Sequence, residues 1–101
     1  MILNGVSWVI NFVEPHNYML LTSSGEYTIG ACDNNYKAIY INNELPTSLM
    51  RKVLCHEIAH AAMFSYRVLL DLEQEEVVAD LIATYGWQIL CETERIVEQV
   101  T

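Results

Sequence analysis

His56, Glu57 and His60, in the run His56-Glu57-Ile58-Ala59-His60, are the residues whose types and spacing promise chemistry. In a helix, positions four apart differ by about 40° around the axis, so the two imidazoles project from one face, one turn apart. There they can share a single ion. Glu57 is rotated by about 100° from His56, which suits it to reach a water on that ion rather than the ion itself. Two neutral imidazoles suit zinc, and a neighbouring carboxylate can take a proton from a water that zinc polarises. The competing reading is a pair of ordinary histidines on an amphipathic helix. Chance seldom produces this pattern in 101 residues, and the segment downstream supplies what a metal site still lacks.

A hydrolytic zinc site takes three protein ligands and keeps one position open. The only histidines are His16, His56 and His60; a third one placed ten residues after the first would fall at Tyr66. The third ligand is therefore expected to be a carboxylate from another element. Glu76-Val77-Val78-Ala79-Asp80 offers one. Glu76 and Asp80 are a turn apart on one helix face, so Glu76 can bind the ion while Asp80 accepts the N–H of a ligating histidine. Glu75 and Asp80 are the alternative ligands. The small Ala79 lets the two helices lie close. Cys55 points about 100° off the histidine face and reads as a small core residue, and His16 reads as a surface or capping residue.

The elements that must position these groups follow from periodicity. Val6 to Val13 alternates, with Val6, Trp8, Ile10 and Phe12 on one side, which predicts a strand. Tyr18 to Thr22 and Glu26 to Ala31 read as a hairpin around Ser23-Ser24-Gly25, and Lys37 to Asn42 as a fourth strand. Pro46 fits the first turn of a helix running to about Tyr66, whose Leu49, Val53, Leu54, Ala61 and Phe64 face the sheet. After a loop at 67–72, a second helix is expected from about Glu73 to at least Cys91, its acidic first turn favoured by the helix dipole. Gly86 is a position where that helix could kink. The predicted class is α+β: a small, mainly antiparallel sheet of three to four strands, then two packed helices, as one domain over residues 1–101.

Composition narrows the partners. A net charge of −8 and pI near 4.6 argue against nucleic acid or an anionic membrane as the main partner. With 52% hydrophobic and 18% charged residues the chain reads as globular. Cys32, Cys55 and Cys91 lack paired spacing and read as reduced thiols, and the N-terminal apolar run has no basic flank. Together these predict a cytoplasmic protein.

The two motifs, fifteen residues apart and followed by Leu81-Ile82-Ala83, make the chain resemble the gluzincins. More closely it resembles the ImmA/IrrE-type metallopeptidases of bacteria and their mobile elements, over about residues 27 to 86. Ala59 stands where that family usually has glycine. The resemblance implies zinc ligands His56, His60 and Glu76, the general base Glu57, Asp80 as support for a ligating histidine, and endoproteolysis of a cytoplasmic protein such as a repressor. The substrate would lie extended, adding to a sheet edge near Lys37 to Asn42, where a protein partner could complete the groove. Tyr40, Tyr66 and Tyr85 are candidate donors to the oxyanion. The alternative function is a zinc-bearing or metal-free interaction module that keeps the scaffold without turnover.

Overall fold

The chain begins with a hairpin that periodicity did not reveal. Strands β1 (Ile2–Leu3) and β2 (Val6–Ser7) pair antiparallel around Asn4-Gly5. Both turn residues have positive φ, 50° and 75°, the backbone of a two-residue hairpin turn that Asn-Gly adopts at low cost. A computed structural model describes residues 1–101. The expected first strand is thus divided at Trp8, which is fully buried and donates from Nε1 to Ser65 Oγ at 2.8 Å. Asn4 Nδ2 donates to the Ser65 carbonyl at 2.9 Å, so the hairpin is pinned to the end of the first helix.

Strands β3 (Val9–Val13), β4 (Gly30–Asp33) and β5 (Ala38–Asn42) form a second sheet in the order β3-β5-β4. β4 runs antiparallel to β5, whereas β3 is parallel to it, Ile10 beside Ile39 and Phe12 beside Ile41. β5 is central, so Ala38, Ile39 and Ile41 are all buried, and its ladder groups are taken on both sides. That corrects the expectation of a substrate adding near Lys37 to Asn42: the free edge on this side is β4. Phe12, placed by the alternation on one side with Trp8 and Ile10, is exposed.

The predicted hairpin between Tyr18 and Ala31 is replaced by a 3-10 turn, Tyr18–Leu20. Asn17 Oδ1 accepts from Met19 N at 2.9 Å, a local bond that competes with strand pairing. The turn at Ser23-Ser24-Gly25 survives, closed by Thr22 N donating to Glu26 O at 2.8 Å, with one bridge between Leu21 and Tyr27.

Two helices follow the strands, as the α+β reading expects. α1 (Thr47–Ser65) starts after Pro46 and lays Ala61, with Val53, Leu54, Ile58 and Phe64, over Trp8, Ile39 and Ile41. Leu49, placed on that face by the sequence, is partly exposed at the mouth of a cleft. α2 (Leu72–Val100) opens on a capping box: Asp71 accepts from Gln74 N, and Gln74 accepts from Asp71 N. It continues through Gly86 to Val100 as one helix. Ala59 and Met63 of α1 meet Ala79 of α2 in a small second cluster where Ala79 is fully buried. No helix is long and apolar enough to cross a membrane.

Candidate metal centre

Helical periodicity and the Ala79 contact together assemble the site. The turn-to-turn spacing in α1 stacks His56 and His60, their Nε2 atoms 3.1 Å apart. Close approach of α2 brings Glu76 across both rings: Oε2 lies 3.2 Å from His56 Nε2, and Oε1 lies 3.0 Å from His60 Nε2. The opposite ring nitrogens are engaged as well. His56 Nδ1 is 3.0 Å from Asp80 Oδ1, and His60 Nδ1 is 2.6 Å from Glu75 Oε1.

For neutral rings this arrangement has a definite electrostatic consequence. With each Nδ1–H donated to a carboxylate, each Nε2 presents a lone pair. Two lone pairs and a carboxylate then face one another at 3.0–3.2 Å with no donor among them. Such a set of acceptors is repulsive unless a cation lies between them. Ligand atoms on a tetrahedral ion at about 2.1 Å would be separated by about 3.4 Å, close to the spacing found. The residues fit a metal ion.

Glu57 occupies a different position. One ligand atom from each of His56, Glu57 and His60 lies within 4.8 Å of the others, so by proximity alone Glu57 belongs to the group. It bonds to neither ring, however, while Glu76 touches both. Its carboxylate is buried, and Oε2 has no hydrogen-bond partner. Burial pushes its pKa above the ordinary carboxylate value, and the nearby Glu76 adds to the rise; only protonated His60 and His56 would pull the other way. A buried, unpartnered carboxylate beside a metal-fitting cluster is placed to exchange a proton with whatever enters.

The entrance is a cleft of about 370 Å³ between β4 and the two helices. Thr28, Ile29 and Gly30 form one wall, Leu49, Lys52 and Val53 the other, and His56, Glu57, Glu76 and Asp80 the floor. Gly30 sets the depth of this cleft. A Cβ there would come within 2.6 Å of Val53 Cγ1 and 3.2 Å of Glu57 Cγ, so only glycine lets β4 lie this close to the site. None of Tyr40, Tyr66 and Tyr85 lines it.

His56, Glu57, His60, Glu76 and Asp80 come together. His16 is exposed and meets the edge of Tyr27 with ring centroids 5.1 Å apart. Cys55 turns toward α2, with Sγ 4.0 Å from the Ile82 carbonyl, and all three cysteines are free thiols. From the sequence Glu75 reads only as a rival ligand, and its contact with His60 Nδ1 is not legible there. Its position one residue before Glu76 was the available signal, since about 100° of rotation separates the pair and lets them address opposite nitrogens of one ring.

Comparison with known proteins gives one match: residues 15–85 fit the family model of the IrrE N-terminal-like domain, Peptidase M78. No curated protein and no solved structure matches.

Proposed function

We propose, because this chain belongs to the M78 peptidase family of IrrE N-terminal-like domains, that it is a zinc-dependent endopeptidase. The observation that carries the reading is the convergence of three acceptors, two Nε2 atoms and the Glu76 carboxylate, with each outer Nδ1 held by a further acid. In this reading His56, His60 and Glu76 hold the zinc, and Asp80 and Glu75 keep the two imidazoles in the ligating tautomer. When bound, the ion supplies Lewis-acid polarisation of the scissile carbonyl and of the attacking water.

The remaining steps belong to the chain's own side chains. Glu57 takes a proton from the attacking water and returns it to the leaving amine. Its burial keeps the proton affinity high enough for both transfers. The free edge of β4 offers main-chain groups to an extended peptide, whose side chains would rest against Ile29, Leu49 and Val53. A cytoplasmic protein such as a repressor is the substrate class that the ImmA/IrrE resemblance implies.

Glu57→Gln tests the proposal. The amide preserves size and leaves the histidines in place, so zinc content and Tm should match wild type. Cleavage of an unstructured protein probe should fall by about 10²–10⁴. Equal cleavage by both forms would remove Glu57 from its role. A wild-type protein that holds zinc stoichiometrically but cuts nothing would instead favour an interaction module.

A further inference from the structure

Beyond the metal centre, α2 outruns the helix it packs on: it has 29 residues against 19 in α1. The family match ends at Tyr85, and every residue from Trp87 to Thr101 is exposed. Yet this segment is not polar. Ile89, Leu90, Ile96, Val97 and Val100 are exposed large apolar residues on it. At 100° per residue they fall within an arc of about 120° that also contains Gly86 and Thr93. Ile82, Ile89 and Ile96 repeat at seven-residue intervals, as do Ala83, Leu90 and Val97. Two apolar rows per heptad, with the small Gly86, Thr93 and Val100 between them, form the face of a helix built to pack on another. Where α2 still lies against α1, Ile82, Ala83, Gly86 and Leu90 line a groove shared with Ser48, Arg51, Lys52 and Cys55 of α1, so the stripe continues the α1–α2 interface past its end.

Charge indicates what covers it. Glu92 borders the stripe on the Ile89–Ile96 side and Glu94 on the Leu90–Val97 side, each about 40° from the nearest apolar row. Arg95 is the only base on the segment, and it is engaged by Glu92 at 2.6 Å. A second copy would bring two surfaces of the same sign together, each on a chain of net charge −8. We propose that residues 86–101 dock an amphipathic helix of another protein whose apolar stripe is flanked by Lys or Arg.

The test uses the whole protein and two labelled synthetic helices of about 21 residues with the same leucine stripe, one flanked by Lys and its twin by Glu. The Lys-flanked peptide should bind at least about tenfold tighter, with an affinity that falls as salt rises. Ile89→Asp with Ile96→Asp should abolish binding although it makes the surface more acidic, which separates docking from mere charge attraction. Glu92→Lys with Glu94→Lys should reverse the preference between the twins. All these positions are exposed, so unchanged helicity and Tm will establish that the variants fold. The proposal is overturned if the two peptides bind alike, if neither binds, or if sedimentation shows a dimer that Ile96→Asp dissociates.

Discussion

Each motif imidazole is engaged at both nitrogens, and that makes the acids around it unequal. Glu76 faces both Nε2 atoms, whereas Asp80 and Glu75 each take one Nδ1. Glu76→Ala should therefore nearly abolish zinc binding. Asp80→Ala and Glu75→Ala should each weaken it by about 10–100-fold, the usual effect of losing a group that orients a ligating histidine. Chelator competition measures all three, and a Glu76→Ala protein that binds as well as wild type would exclude it as a ligand. Cys32 allows a separate check. Its thiol is pushed up from 9.0 to about 12, first by burial and then by the Glu57 charge. It should resist alkylation at pH 8–9 while the exposed Cys91 reacts. Between pH 9 and 12 the unfolded chain releases that proton and the folded one keeps it, so this group lowers stability as pH rises through the window. Cys32→Ala should shrink the alkaline loss of stability measured by denaturant titration.

The edge strand and the first helix meet with almost no clearance. Gly30 leaves β4 close enough to Val53 and Glu57 for the strand to form a wall of the cleft. Gly30→Ala forces a contact of 2.6 Å with a branched side chain that is itself partly buried. It should cost about 1–3 kcal/mol by overpacking, read from urea denaturation, and should displace Glu57 enough to reduce cleavage. A variant as stable and as active as wild type would mean that the strand does not seat so closely. Ala79 does the corresponding work between the helices, where a larger residue would lift Glu76 and Asp80 away from the rings.

The whole molecule has a modest core: Trp8, Ile39, Ile41 and Ala61 in one cluster, Ala59, Met63 and Ala79 in another. The metal-fitting residues bridge α1 and α2 beside the second, smaller cluster. A bound ion would then cross-link the two helices and stabilise the folded state by linkage. Chelation should lower Tm in wild type, by an amount that grows with the free metal concentration used for comparison, and should leave His56→Ala unchanged. An equal response of both proteins to chelator would place the stabilising ion elsewhere.

The sequence by itself determined what local chemistry and periodicity encode. The four-residue spacing put His56 and His60 on one helix face, Pro46 marked the start of α1, and strands before helices defined the α+β class. These depend on neighbours along the chain, so no tertiary information was needed. Local competition was harder to read: Asn17 turned an expected strand into a 3-10 turn through one side-chain bond. Which strand lies at the sheet edge, and that β3 runs parallel to β5, were settled only by pairing between distant segments. Which ring nitrogen each of Glu75, Glu76 and Asp80 faces was likewise a tertiary matter. Three acids on one helix are distinguished only by how that helix is rotated against its neighbour, and here the burial of Ala79 sets the rotation.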